Sequence, residues 1–275
     1  NQEDKVMSLN QLMQFENMDD VQRIQVIGSI LMANGAKRIV RYSRGKKSIV
    51  NIDYIREGIP YVFIEIINND KGYHTFNFID YDIYNELVVN KGYVFRAEVC
   101  HHDKKMSIQY GAANVRVHDF VLPHAKAVDH VCNHKSVNIR ELLRPCTPQE
   151  NMKNVLRYCN VDKRNKSFYM KDPNTTAEER IRLVQLGFTI KHLSKGDYLY
   201  SPSYNTLGEC YTMINKFERH YFREFAFNPL MNFEYTWYAL ILQKMLGSFS
   251  WEDLIDYNRS YWIRRRPEDA RYYML

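Results

Sequence analysis

The residues best suited to chemistry in this chain are an Asp-His pair, Asp129 and His130, and two asparagines that follow it, Asn138 and Asn151. A carboxylate oxygen and an amide oxygen are hard ligands that can hold a divalent cation. A neutral imidazole beside such a cation can take a proton from water. These residue types therefore point to hydrolysis of a phosphodiester bond.

Two strands closed by a loop and followed by a helix are predicted to position these residues. A β-type run before the Asp-His pair ends at His118, and a turn-rich loop follows the pair. After the loop, Pro148 and Glu150 suit the first turn of a helix, which we expect over residues 147–158. Asn151 would project from this helix toward the pair.

The sequence around these residues resembles the HNH endonucleases of phages and mobile introns, particularly the homing type. Such nucleases share an ordered set of short motifs that ends in Thr-Pro and Asn. The matching positions here are Val117-His118, Pro123, Val128-Asp129-His130-Val131, Asn138, Leu143-Arg144, Thr147-Pro148 and Asn151. No gap is needed from Val128 to Asn151, and the resemblance covers roughly residues 78–160.

The resemblance implies a ββα core with a single divalent cation, Mg²⁺ or Mn²⁺, held by Asp129 and Asn151. It implies His130 as the general base and Asn138 as the residue that pins the loop after the pair, so these two are the candidate catalytic residues. The implied activity is metal-dependent hydrolysis of phosphodiester bonds. Because an Asn ligand is neutral, such a site would bind its cation weakly without a phosphate.

The chain departs from the family pattern at three positions. Leu142 replaces the family's middle Asn, which braces the loop and orients the catalytic His. Asp119 and Ile139 stand where the family has Arg. One alternative is therefore a catalytically impaired, HNH-derived protein that binds nucleic acid or assembles into a larger complex. Another is a phage or mobile-element accessory protein that binds only another protein.

The composition is that of an ordinary soluble globular protein, with 275 residues of which 45% are hydrophobic. The formal net charge of +6 suits double-stranded DNA as a partner, although many cytosolic proteins are equally basic. No apolar run approaches the ~20 residues that span a bilayer, and no signal-peptide pattern opens the chain. We therefore expect a cytoplasmic protein of a bacterial or phage-infected cell, not secreted and without a membrane partner.

The five cysteines are widely spaced and contain no Cys-x-x-Cys pair, so they do not favour a zinc-stapled HNH fold. Reduced thiols are the simpler interpretation. The alternative is a zinc site gathered from Cys100, His101, His102, Cys132 and His134.

Two groups of cations are candidate contacts to DNA. Residues 37–47 form either a loop on the phosphate backbone or a solvated strand edge protected by charge. Residues 160–174 form either a cationic linker that lies along DNA or a surface loop. The candidate nucleic-acid-binding residues are Arg38, Arg41, Arg44, Lys46, Lys47, Arg144, Lys153, Arg157, Lys163 and Arg164.

The expected fold class is α+β, with antiparallel strands leading into the ββα core. Three regions are expected: an N-terminal α/β region (1–77), the HNH-like core (78–160) and a mostly helical, aromatic region that binds DNA or a protein partner (161–275). Capping residues, periodicity and turns predict helices at 19–35 and after Thr176 and Ser250, and strands within 49–67, 73–79, 188–192 and 198–201.

Overall fold

The computed structural model describes residues 7–43, 48–99, 106–110, 115–155, 158–265 and 267. This part of the chain is α+β, with helices and mostly antiparallel strands, which confirms the predicted fold class. Within the same residues, no helix is long and apolar enough to cross a membrane.

The helices and strands follow one another along the chain with these bounds. The helices are α1 (Leu9–Phe15), α2 (Asp20–Ala33), α3 (Tyr81–Tyr84), α4 (Val117–Val121), α5 (Pro148–Asn151), α6 (Ala177–Gln185), α7 (Leu207–Phe222), α8 (Trp237–Leu246) and α9 (Trp251–Arg265). The strands are β1 (Lys37–Tyr42), β2 (Ile49–Ile55), β3 (Tyr61–Asn68), β4 (Tyr73–Asp80), β5 (Phe95–Val99), β6 (Met106–Tyr110), β7 (Val115–Arg116), β8 (Ala127–His130), β9 (Val137–Asn138), β10 (Leu143–Cys146), β11 (Asn160–Asp162), β12 (Ser167–Lys171), β13 (Thr189–Leu193) and β14 (Gly196–Tyr200). A π-helical segment covers Asn85–Asn90, and short 3₁₀ turns cover Arg140–Leu142, Arg223–Phe225 and Pro229–Met231.

The chain divides into two compact units. The first contains Asn1–Pro148 and Leu230–Tyr261, and the second contains Gln149–Pro229 and Trp262–Leu275. This division differs from the three regions expected from the sequence, because α8 and most of α9 return to the first unit. Their apolar side chains share a core with α2 and β3, a long-range contact that local composition does not reveal.

A five-stranded sheet forms the centre of the first unit, in the order β1-β2-β3-β4-β9. Its strands are antiparallel except for β9, which runs parallel to β4. The sheet is buried on both faces: Phe63 of β3 packs in a core with α2 and α8, whereas Val62 and Ile64 pack in a second core with α3 and α4.

Local capping and turn chemistry explains several elements of this unit. Asp19 caps α2 by accepting from the backbone of Gln22, and the helix is followed by Gly35, whose φ of +82° suits glycine. Gly58, at φ +75°, lies in the turn between β2 and β3. Ser250 accepts from the backbone nitrogen of Asp253 at the start of α9. These predicted elements are confirmed.

The second unit is built on a four-stranded sheet in the order β11-β12-β14-β13. Strands β13 and β14 confirm the two strands predicted at 188–192 and 198–201. Strands β11 and β12 correct the expectation of a linker or loop at 160–174. The described part of the C-terminal region is otherwise mostly helical, as expected, through α6, α7, α8 and α9. The alternation of Phe168 and Met170, both buried, with more exposed neighbours is the period-two signal of β12 that the cationic composition obscured.

Candidate active site

The Asp-His pair lies on a two-stranded hairpin. Strand β8 pairs antiparallel with β10, so Asp129 lies opposite Arg144 and His130 lies opposite Leu143. Leu143 and the neighbouring Val128 are buried in the apolar core of the first unit. This anchoring fixes the end of β8, where the pair lies.

His130 is held by Asn138. Its Nε2 atom lies 3.0 Å from Oδ1 of Asn138. The amide nitrogen of Asn138 donates to Oδ1 of Asn77 at 2.8 Å and to the backbone oxygen of Lys135 at 3.2 Å, so the amide oxygen faces the imidazole. With this amide oxygen as the acceptor, the contact favours the tautomer of His130 whose hydrogen is on Nε2. The bond to Lys135 joins Asn138 to the loop after the pair, and its catalytic role stays a prediction.

Both histidines near this contact are held neutral. Burial lowers the pKa of His130 to about 4, and the nearby His118 adds to this effect. Burial also lowers the pKa of His118 to about 4, with Arg116 contributing. The two rings meet edge to face, with centroids 5.1 Å apart. His118 lies in α4 and not at the end of a strand, which corrects that expectation, since β7 ends two residues earlier.

The free energy of unfolding is expected to fall as the pH drops from about 6.5 to about 4. Histidine in the unfolded chain titrates near 6.5, whereas the folded pKa of His118 is about 4. In this window the unfolded state binds more protons than the folded state, so acid favours unfolding. Above this window the contribution of His118 to the free energy of unfolding is complete. Denaturant unfolding of His118→Gln, which has no imidazole, should show a flatter pH dependence, and an equally steep one would contradict this.

Asp129 is paired with Arg144 across the hairpin. The Nε and Nη2 atoms of Arg144 lie 2.6 Å and 2.5 Å from Oδ2 of Asp129. Successive residues of a strand point to opposite faces, which explains why Asp129 meets Arg144 while His130 meets Asn138. The two members of the pair thus have separate partners.

As arranged, these residues do not fit a divalent cation. The guanidinium of Arg144 occupies Oδ2 of Asp129. Across the residues that the structure describes, no group of three or more His, Cys, Asp or Glu side chains could hold a metal. A cation at Oδ2 of Asp129 would have to take the place of Arg144.

The helix after the hairpin is shorter than expected. The prediction of a helix over residues 147–158 is wrong, because α5 ends at Asn151 and residues 152–155 form turns and a bend. The backbone nitrogen of Lys153 bonds to the oxygen of Glu150, a tight turn that stops the helix. Asn151 is exposed and belongs to the second unit. Its approach to the Asp-His pair stays a prediction.

Leu142 is a core residue. Its side chain is 3% exposed and packs in the same apolar cluster as Ile139. Its backbone oxygen accepts from the nitrogen of Val131, so the residue also ties the two sides of the loop together. The asparagine that contacts His130 is Asn138.

Leu142→Asn is expected to destabilise the protein by about 2–5 kcal/mol, since it removes a buried side chain and buries an amide in its place. It should not raise any cleavage of nucleic acid. Denaturant unfolding measures the loss, and Leu142→Met, which conserves volume, is the matched control with an expected cost below about 1.5 kcal/mol. Faster cleavage with unchanged stability would show that an Asn is missing at this position.

The cations predicted to contact DNA in the N-terminal region have different surroundings. Arg41 points inward, with Nε 2.5 Å from Oδ2 of Asp53 and Nη1 2.6 Å from the backbone oxygen of Tyr93. It is a structural cation, which corrects its assignment as a phosphate contact. Arg38 is exposed on β1. Arg44, Lys46, Lys47 and Arg157 lie outside the described residues.

The predicted cations of the second unit lie at its surface or against an aromatic ring. The Nζ atom of Lys153 lies 5.2 Å from the ring centroid of Phe222. Lys163 and Arg164 are exposed in the turn between β11 and β12, where the backbone nitrogen of Arg164 donates to Asp162. Their role in binding nucleic acid stays a prediction.

The alternative zinc site gains no support from the described residues. Cys100, His101 and His102 lie outside them. Burial raises the pKa of the Cys132 thiol to about 12, which opposes the thiolate form that zinc requires. The ring of His134 packs against the aromatic core of the first unit.

Two partners in this site were missed by reasoning from the sequence. Asn77, which accepts from Asn138, is 61 residues away along the chain and has no local signal. The pairing of Asp129 with Arg144 depends on the register of β8 and β10. The sequence predicted a strand on each side of the loop, which indicates that the two strands pair. It did not specify the register of that pairing.

Comparison of the chain with protein families, curated proteins and solved structures found no significant match. The HNH resemblance therefore rests on the motif residues of this chain alone.

Proposed function

We propose that the protein hydrolyses phosphodiester bonds in DNA as an HNH-type endonuclease of the phage or homing kind, with His130 as its general base. The observation that carries the proposal is the 3.0 Å contact between Nε2 of His130 and Oδ1 of Asn138. This contact orients the imidazole and favours the tautomer in which Nδ1 is the basic nitrogen, the atom proposed to accept the proton.

In this proposal, a water molecule beside Nδ1 of His130 loses a proton to that atom while its oxygen bonds to phosphorus. The bond from phosphorus to the leaving sugar oxygen then breaks. A pKa of about 4 keeps the imidazole neutral and able to accept the proton, but also makes it a weak base. Mg²⁺ or Mn²⁺ is the proposed cofactor, and no step is assigned to it because Arg144 occupies its oxygen ligand.

A second candidate is a non-cleaving, HNH-derived protein that binds nucleic acid or assembles with a protein partner. The ion pair between Arg144 and Asp129 favours it, because a carboxylate neutralised by arginine has the character of a structural residue. This candidate binds nucleic acid or a protein partner and does not hydrolyse phosphodiester bonds.

The two candidates separate in one experiment. Purified protein is incubated with supercoiled plasmid and Mg²⁺ or Mn²⁺, and parallel samples contain a chelator. Nicked or linear products that require the metal support the endonuclease. Duplex binding that weakens steeply with salt but gives no product supports the binding protein, since phosphate contacts release counterions. If the protein neither cleaves nor binds DNA, the endonuclease and the nucleic-acid-binding protein are both excluded, and assembly with a protein partner is the candidate that is left.

A further inference from the structure

We infer that one face of the four-stranded sheet in the second unit binds single-stranded DNA, with a base stacked on Tyr169 and phosphates bound by Lys171 and Lys191. This inference goes beyond the proposed function, because it assigns a binding site to the second unit that takes no part in hydrolysis. The choice of DNA over RNA alone rests on the proposed function.

The four-stranded sheet has an inner face and an outer face. On the inner face, Phe168, Met170 and Leu199 are buried in one apolar core with α6 and α7. Because successive residues of a strand point to opposite faces, the residues that alternate with these three lie on the outer face. The outer face carries three tyrosines and two lysines on neighbouring strands, namely Tyr169 and Lys171 of β12, Tyr198 and Tyr200 of β14, and Lys191 of β13.

The strand register arranges these side chains in two rows across the sheet. Tyr169 lies opposite Tyr200 in the first row, and Tyr198 lies opposite both Lys171 and Lys191 in the second. The two rows are two residues apart along each strand, which is about 7 Å. A base stacked in the first row therefore has its phosphate within reach of the lysines in the second row.

The first row is a ring stack on which a base can be added. Tyr169 and Tyr200 are half-buried, and their rings stack with centroids 5.3 Å apart and an interplanar angle of 14°. The Nζ atom of Lys191 lies 4.3 Å from the ring centroid of Tyr200. Since Tyr200 already has this lysine over its ring, we place the base on Tyr169. Every base has a flat aromatic face, so such stacking tolerates any sequence.

The charge of the outer face suits a polyanion. Lys171 and Lys191 are both exposed. The neighbouring carboxylates of Asp172 and Asp197 are engaged elsewhere, since both pair with Arg180 of α6, a helix that packs against the inner face. The two lysines therefore present their charge to solvent beside the tyrosines.

One position of the outer face is acidic. Asp162 lies opposite Ser167, at the other end of β12 from Lys171. Its Oδ1 atom accepts from the backbone nitrogens of Arg164 and Asn165, at 3.0 Å and 3.2 Å. Because its carboxylate is engaged by the turn and lies away from the lysine row, it does not oppose a phosphate bound there.

The stacked base has to be unpaired. In a duplex, each base is already stacked on its neighbours and presents only its edges in the grooves. A ring that stands on an open sheet therefore meets the face of a base in a single strand, and not in a duplex. The outer face should prefer single-stranded DNA to a duplex of the same length.

The test titrates a fluorescently labelled oligothymidylate with the intact chain and follows its anisotropy, in a chelator so that no metal-dependent cleavage occurs. Tyr169→Ala is expected to weaken binding by about 5- to 150-fold, the usual loss when one stacking ring is removed. Tyr169→Phe keeps the ring and should bind as the wild type does. Unlabelled single strand should compete better than a duplex of the same length.

A second pair of variants changes exposed residues only, in case Tyr169→Ala fails to fold. Lys171→Gln should flatten the dependence of log affinity on log salt by about 0.7, the contribution of one phosphate contact in a single strand. Lys216→Gln is the matched control and should leave the salt dependence unchanged. Lys216 is exposed on α7, which packs against the inner face.

Four results would overturn the inference. They are an absence of oligothymidylate binding at low salt, an unchanged affinity in folded Tyr169→Ala, an equal effect of Lys171→Gln and Lys216→Gln, and binding of oligouridylate without oligothymidylate. Each is measured without metal and without cleavage. Failure here is therefore distinct from failure of the proposed endonuclease, which the plasmid assay tests.

Discussion

His130→Ala is expected to reduce plasmid cleavage by about 10²- to 10⁴-fold, the usual contribution of a general base. The imidazole is the group proposed to accept the proton of the attacking water, and Asn138 holds it 3.0 Å away in the tautomer that this requires. We propose no other side chain that accepts this proton when His130 is absent. Initial rates of nicking at saturating metal measure the effect.

A second variant separates lost chemistry from lost structure. His130→Gln retains an amide hydrogen that can donate to Oδ1 of Asn138 but has no basic nitrogen. It should keep the stability and duplex affinity of the wild type and lose cleavage as His130→Ala does. Asn138→Ala, which leaves the imidazole present but unbraced, should retain more activity than either. Undiminished cleavage in His130→Gln would exclude His130 as the base.

Asp53→Ala is expected to lower the free energy of unfolding by about 3–5 kcal/mol, the usual cost of leaving a buried charge without its partner. The Asp53 side chain is fully buried and accepts from two nitrogens of Arg41 and from the hydroxyl of Tyr84. Its loss leaves the partly buried guanidinium of Arg41 without its carboxylate partner. Urea unfolding at neutral pH measures the change.

The exposed ion pair between Arg140 and Asp82 is the control for this prediction. Both side chains are well exposed, at 47% and 63%, so water solvates either partner when the other is removed. Arg140→Gln should therefore cost no more than about 1 kcal/mol. A comparable loss in the two variants would mean that burial of Asp53 does not set the strength of its contact with Arg41.

The sequence alone determined those features that depend on residues close together along the chain. The caps of α2 and α9 and the turn before β3 were predictable because capping and turn chemistry act within a few residues. The contact of His130 with Asn138 was not predicted, because it depends on the pairing of β9 with β4, which places Asn138 beside Ile79. The HNH resemblance also depends on residues close together along the chain. It indicates which residues form the candidate site but does not show that the site is catalytically active.

The tertiary structure decided the features that depend on distant partners. Arg41 is basic in the same way as Arg38, but only the packing of β1 on β2 turns it toward Asp53. Asp129 has the residue type of a metal ligand, but the register of β8 and β10 places Arg144 opposite it. Leu142 lies at a position where the motif has a polar residue, but in the structure its side chain is buried in the core. Charge and polarity are properties of a residue, whereas burial and pairing are set by the neighbours that folding brings to it.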